Sequence, residues 1–535
     1  MNKKINARTI SLVLIFILIL ITIALLIGKF TYSYLAPTIG DDVEGAGEVT
    51  ASGDTIIFTK GNTLSLSANS DNFKTGGSNL TATTNPKVKL MASSKAESAS
   101  SKYFAGIIIK NNTYNYTTTD KKPEVILTVK DENGNIVESS ADNLTFVSVN
   151  DKLKGFDVTG VSGAFNIVTD HIIATSGNKS EVIHTWTFTL TFVNLGTDQS
   201  NNENSTLNID VVLQKDKIPT TIADFCSNGD NLGNCIVNYY NGLNTASNIY
   251  YHDLNLTNGA GDNSYRYAGA SDAVNNYVCF GSNVTPCPAD NLYRIIGVFG
   301  DKVKLIKADY ATTALLGADG DYSKMYTANN YDNSNFKGNN LANIAAYNWN
   351  KSNQNTWSLS NLNKTNLNKN FITNIGADWA AKIAETTWKV GGNTGANIYS
   401  QPAKTTYQNE IVSPVTTNTT DNAKEYNAKV GLMYVSDYMY AVPQDKWTLV
   451  GYNSDASKDY RAATSVNWMY MGLWEWTISR RAGYSSDAFS VYDTGIVSFS
   501  YVGNRAYGVR PVFNLSSSVN YASGSGTAAD PILVT

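Results

Sequence analysis

Charge is scarce in this chain. Only 16% of its 535 residues are Asp, Glu, Lys or Arg, against roughly 25% in an ordinary globular domain. The net charge is −4 and no basic stripe occurs. The phosphate-neutralising cations that dominate nucleic-acid affinity are therefore missing, and nucleic acid is excluded as a partner. Disorder is excluded as well, because it goes with few aromatics and high net charge, whereas 32 Tyr, 18 Phe and 9 Trp are present. Histidine is scarcer still, with three in the whole chain: His171, His184 and His252. His184 shares a strand face with Trp186 and Phe188 and reads as a core or edge residue. His252, in YYHDLNL, reads as a solvated turn residue. No H-E-x-x-H, G-x-S-x-G or G-x-x-x-x-G-K motif occurs, so zinc-hydrolase, nucleophile-elbow and P-loop chemistry have no foundation. Asp319-Gly320-Asp321 lacks the further ligands and late Glu of a calcium loop and reads as a turn. No catalytic residue, metal site or cofactor is expected.

Against that polar background, one apolar run stands out. Ile10 to Ile27 reads ISLVLIFILILITIALLI, with only Ser11 and Thr22 as interruptions. As a helix it would be roughly 27 Å long, close to the hydrocarbon thickness of a bilayer. Lys3, Lys4 and Arg8 precede it, and Asp41, Asp42 and Glu44 follow it. This bias puts residues 1–9 in the cytoplasm and everything after the span outside. The run exceeds the usual apolar core of a secretory signal, and no A-x-A site follows, so an uncleaved single-pass anchor at residues 10–27 is the expectation. Export suits the cysteines. Cys226 and Cys235, and Cys279 and Cys287, flank short polar loops, and neither pair is C-x-x-C. Local disulfides between neighbours are expected in an oxidising compartment.

A linker at 28–50, with Pro37 and several Gly, leads into residues 51–217, which read as strands. In Val182–Val193, Val182, His184, Trp186, Phe188, Leu190 and Phe192 fall on one face and four Thr on the other. That is the period-two signature of a half-buried strand. Leu207, Ile209, Val211 and Leu213 repeat it. EVILTVKDENGNIVE reads as a hairpin in which Asn133-Gly134 supplies a tight primed turn. Many short strands and no convincing helix predict an all-β sandwich acting as a stalk. Residues 218–290 form a disulfide-containing connecting region, and 291–535 read as an α+β domain with short helices at Lys337–Asn348 and Ala380–Trp388.

Three stretches carry a resemblance: NLYRIIGVFGDKVKLIK at 291–307, YMGLWEWTISRRAGYSSDAFSV at 470–491, and GNRAYGVRPVFNLSSSVNYASGSGTAADPILV at 503–534. Over about residues 240–535 the chain resembles uncharacterised surface proteins of low-GC Gram-positive bacteria with a C-terminal C-type-lectin-like domain. Formylglycine-generating-like domains and retroelement-diversified receptor-binding domains share that fold. The resemblance implies a twisted sheet, two helices and long loops that display a ligand face. It does not imply the oxidase activity, which needs a reactive cysteine, since none follows Cys287. The N-terminal part resembles the TasA/camelysin group of exported β-sandwich proteins, through GKFTYSY at 28–34 and FVNLG at 192–196.

In lectin-fold variable proteins the late segment carries the binding face. Here it holds Trp474, Glu475, Arg480, Arg481, Tyr484, Asp487, Tyr492, Tyr501, Asn504, Arg505 and Tyr507, the candidate ligand-binding residues. Tyr offers rigid contact area and Arg planar hydrogen bonding, both enriched at hot spots. The same residues could instead brace the fold, and for Arg481 and Arg505 bracing is the favoured reading. Arg510 in GVRPVF also reads as a brace. Alternation in LWEWTI puts Trp474, Trp476 and Ile478 on a core face and Glu475 with Thr477 on a polar one. The chain thus reads as a membrane-anchored surface protein that binds an extracellular glycan or protein. The alternatives are a fibre or matrix subunit, or an envelope glycan hydrolase using Glu475, Asp487 or Asp493.

Overall fold

The computed structural model describes residues 47–51, 54–73, 76–92, 98–175, 180–326, 334–339, 341–394, 398–415 and 423–535. The expected membrane segment lies outside them. Among the described residues no helix is long and apolar enough to cross a membrane. What is described is a multidomain, β-rich chain with scattered short helices and open sheets.

Three antiparallel sheets make up the N-terminal part. One orders Gly47–Ala51, Asp54–Thr59, Lys87–Met91 and Glu181–Thr185. The second orders Gly163–Ala174, Ser100–Lys110, Thr206–Gln214 and Leu64–Ser67. The third orders Leu80–Thr84, Thr187–Phe192, Val125–Lys130, Leu153–Asp157 and Phe146–Asn150. The first strand thus begins inside the expected linker. The alternation expected over 182–193 is present: Trp186, Phe188, Leu190 and Phe192 are all buried. Yet this is not one strand. It breaks at Trp186, with Glu181–Thr185 in the first sheet and Thr187–Phe192 in the third, so a single run of sequence laces two sheets together. Leu207, Ile209 and Val211 join the same core. The hairpin at 131–135 differs from the expected primed turn, because only Gly134 takes a positive φ (83°). The Asp131 carboxylate accepts hydrogen bonds from the backbone N–H groups of Asn133 and Asn135 and holds the turn right-handed.

A second, larger core holds most of the remaining described residues, with a small third one around Tyr310, Tyr326, Ile344 and Leu473. Ile108 and Ala164 turn away from the first core and pack into the second beside Ile218. Its main sheet orders Val430–Gly431, Val512–Asn514, Lys302–Lys307, Leu292–Phe299, Tyr277–Cys279, Ile532–Val534 and Tyr521–Ser523, with Ile249–Tyr251 and Tyr265–Tyr267 branching from it. The expected connecting region therefore supplies three strands to this sheet. It also supplies the helix Leu232–Leu243, N-capped by Asn231 and packed through Leu232, Ile236 and Tyr239.

Both expected helices are displaced. Within Lys337–Asn348 the chain forms a 3₁₀ turn at Leu341–Asn343 and then a strand at Ala345–Asn348. That strand pairs with Tyr322–Met325 and Ala506–Tyr507, and the alanines fit because both its faces are buried. Ala377–Ala381 is helical, but Trp388 lies in the strand Thr386–Lys389. The longest helical run of this region, Leu362–Phe371, has wide i→i+5 turns and no apolar stripe. Its asparagines anchor it instead. Asn363 donates to the Trp357 carbonyl, Asn366 and Asn370 to Leu316, and Asn368 to Val430.

The expected disulfides are present: Cys226–Cys235 and Cys279–Cys287, with no free cysteine. Each closes a short loop, and loop entropy assigns each about 2.5 kcal/mol. Paired Cys279→Ser and Cys287→Ser substitution is expected to lower stability by about that amount. The check is the urea midpoint under non-reducing conditions, and a shift equivalent to less than about 0.5 kcal/mol would refute the loop-entropy account.

Candidate ligand-binding face

The late segment folds as a four-stranded sheet ordered Gly392–Thr394, Glu475–Ala482, Asp487–Val491 and Val497–Tyr501, with the last strand at an edge. Gly483 (φ 80°) and Gly495 (φ 92°) allow the reversals between its last three strands. The register sets Asp487 opposite Tyr501.

Arg481 is the centre of the face. Its guanidinium carbon lies 3.4 Å from the Tyr484 ring centroid and 3.5 Å from that of Phe499. Its Nη1 donates to the Asp487 carboxylate at 2.8 Å. A guanidinium fixed by an ion pair and faced by two rings holds those rings with little residual freedom. The strip continues from Phe499 to Tyr399 (6.3 Å) and on to Tyr452 (5.3 Å). Arg461 then lies 5.6 Å over Tyr452, tied back to Asp459 at 2.6 Å. Tyr484, Tyr501 and Tyr452 are 52%, 56% and 38% exposed. Asn504 and Arg505 are exposed in the turn after Tyr501, whose carbonyl accepts from the Arg505 N–H.

The remaining candidates lie elsewhere. Trp474 stacks on Tyr492 at 3.7 Å and reaches Tyr507 at 5.1 Å; Tyr507 in turn lies 4.6 Å from buried Trp476. Trp474 and Tyr492 are half-buried and Tyr507 is buried. Arg480 is buried and donates to the Ala423 carbonyl. Glu475, expected on a polar outer face, is buried, as are Thr477 and Ser479, because the strand runs inside the sheet with both faces covered. Arg510 grips Glu475 with two hydrogen bonds of 2.7 and 2.9 Å and gives a third to the Met469 carbonyl. Burial pushes the Glu475 carboxyl up, and Arg510 opposes that push. Glu475 held in this way, and Asp487 engaged by Arg481, do not present the free carboxylate pair that glycosidic cleavage needs. Asp321, weighed above for calcium, accepts from the backbone N–H groups of Lys351 and Leu362 and organises a turn.

His252 departs from expectation. It is fully buried, accepts from the Ala260 N–H through Nδ1, and packs between Tyr440 and Trp447. Burial, reinforced by Arg266, holds its pKa well below the usual histidine value, so the ring is neutral. Sequence reasoning also missed Phe499, Tyr399, Tyr452 and Arg461, which three separate segments bring to the face. Their density of Tyr was visible, but their adjacency was not.

No protein-family model matches the chain, and no curated protein matches it. One solved structure, of infectious bursal virus derived T=1 particles, aligns at 10% identity over 34% of this chain and 41% of that one. Its TM-score of 0.10 carries no structural argument.

Proposed function

We propose that this chain is a single-pass bacterial surface protein, its bulk outside the cell, that binds an extracellular glycan or protein through the Arg481-centred face. In this reading residues 10–27 are the anchor, the three N-terminal sheets form a β-sandwich stalk, and the remainder is a C-type-lectin-like domain. The observation that carries the proposal is the strip of Tyr484, Arg481, Phe499, Tyr399 and Tyr452, with Tyr501 at the end of the Phe499 strand; Tyr484, Tyr452 and Tyr501 are open to solvent and the arginine is already clamped. Aromatic rings held rigid before binding lose little entropy on contact, and stacked rings with planar donors suit sugar faces and protein hot spots alike. Two local disulfides support an oxidising location. The buried Glu475–Arg510 pair weighs against the hydrolase alternative.

The test is a glycan and surface-protein array probed with the full chain in detergent, as wild type and as Tyr484→Ala with Tyr501→Ala. A retained ligand should bind the double variant at least about tenfold more weakly, the loss of one hot spot. Both tyrosines are exposed, so the loss of stability should not exceed that of the one Tyr484–Arg481 cation–π contact, about 1 kcal/mol. No wild-type binding across a broad array, or equal binding by the variant, removes the proposal.

A further inference from the structure

At one end of the N-terminal sheets, three side chains from three sheets converge. His171 comes from Gly163–Ala174 in the second sheet and His184 from Glu181–Thr185 in the first. Glu132 comes from the turn after Val125–Lys130, a strand of the third. One ligand atom from each lies within 4.8 Å of the others. His171 Nε2 is 3.0 Å from the Glu132 carboxylate, and His184 Nδ1 is 3.8 Å from it. We propose that Glu132, His171 and His184 form a binding site for a borderline transition-metal dication of the zinc class, which clasps the three sheets together.

The donor chemistry selects the ion. Two imidazoles and one carboxylate suit zinc and its neighbours, whereas calcium and magnesium need oxygen shells. Zinc–ligand distances of about 2.0–2.1 Å place tetrahedral donors about 3.3 Å apart. The two separations from Glu132 bracket that value, and the imidazole nitrogens, within 4.8 Å of each other, have to close by at most about 1.5 Å. Glu132 sits on a turn and can adjust to them. The side chains of Glu132, His171 and His184 keep 18%, 24% and 12% exposure, enough for an ion to enter without being fully hydrated.

Tyr103 and Trp186 pack around the imidazoles and fix how they sit before an ion arrives. Trp186 Nε1 donates to the Tyr103 hydroxyl at 2.8 Å, which leaves that hydroxyl's own proton for His184 Nδ1, 3.0 Å away. Trp186 also sets its ring 5.1 Å from His171. The same Trp186 marks the point where the chain crosses from one sheet to another. A cation on Nδ1 takes the lone pair that this hydroxyl now engages, so the Tyr103 hydroxyl must give up that acceptor when the ion binds. Without a cation, a hydrogen bond between His171 and Glu132 occupies the place.

The test uses the full chain in detergent, purified without a histidine tag and stripped with chelator. Background is low, because the only other histidine is buried His252 and no cysteine is free. On titration with zinc chloride, about one zinc per chain should survive dialysis, and the thermal midpoint should rise, while calcium and magnesium at equal concentration leave it unmoved. Glu132→Gln keeps the size and hydrogen bonding of the turn but weakens the ligand. Its zinc Kd should rise at least tenfold with the metal-free midpoint unchanged. His171→Ala combined with His184→Ala should abolish retention. Less than about a tenth of a zinc per chain in the wild type, or undiminished retention in either variant, overturns the assignment. This outcome is independent of the ligand face, since no residue is shared.

Discussion

Arg510→Met is expected to cost about 3–5 kcal/mol of stability, the usual consequence of leaving one member of a buried ion pair alone. The guanidinium is wholly buried, and it supplies both bonds to Glu475 and one to the Met469 carbonyl. Its removal strands a carboxylate among Tyr310, Tyr438 and the surrounding core. The strand Glu475–Ala482 and the GVRPVF segment are joined there, so the loss should reach the ligand face as a lower folded fraction rather than as altered specificity. Glu475→Leu with Arg510→Met is the informative partner. If an unpaired charge causes the loss, the double variant should recover much of it, and the coupling in a double-mutant cycle should exceed about 1 kcal/mol. The cost of Arg510→Met alone should also shrink in acid, where Glu475 can take a proton. Urea midpoints at pH 5 and pH 8 measure both effects. Additive losses that do not vary with pH would mean that packing volume, and not charge pairing, sets the contribution of this site.

That pair also illustrates how far the sequence could be read. The strand itself was legible, because Trp474, Trp476 and Ile478 alternate with smaller residues. Its environment was not, since alternation locates two faces but cannot say whether solvent or another layer covers the second one. The same limit explains Ala345–Asn348, where an alanine pair has helical propensity yet pairs on both edges as a strand. Val182–Phe192 was legible because its pattern is local, and so were the neighbouring cysteines, whose short loops leave few alternatives. The Arg481 strip was half legible. Tyr484 and Tyr501 belong to one dense segment, whereas Tyr399 and Tyr452 arrive from separate loops. The histidines gave no signal at all. His171 and His184 face each other across two sheets, and Glu132 enters from the tip of a turn whose importance in sequence was its glycine.

Glu410 was also invisible in the sequence, and it should make stability depend on pH in an uncommon direction. It is buried beside a cluster that already balances: Arg266 and Lys304 are matched by Asp262 and Asp437. A charged Glu410 would be the one carboxylate without a cation of its own. Its oxygens accept the backbone N–H groups of Val435 and Ser436 at 3.2 and 3.0 Å, and the Ser479 and Ser436 hydroxyls also bond it. Burial, aided by Asp437, outweighs those bonds and pushes the carboxyl from 4.5 up to about 7. The folded chain then binds this proton more tightly than the unfolded chain between those two values. Stability from this group is full below pH 4.5 and falls as pH rises through about 7. The shift corresponds to a loss of about 3 kcal/mol over that interval, at 1.36 kcal/mol per pH unit. Most paired carboxylates act in the opposite sense, so the measurement should be a difference. Glu410→Gln cannot titrate, and its amide nitrogen meets one N–H donor, which costs a fixed amount at every pH. The gap between wild type and Glu410→Gln should therefore favour the wild type most at pH 4.5 and narrow or reverse by pH 8. A gap that stays constant would place the Glu410 proton in solvent, and the cluster would then carry a net negative charge inside the core.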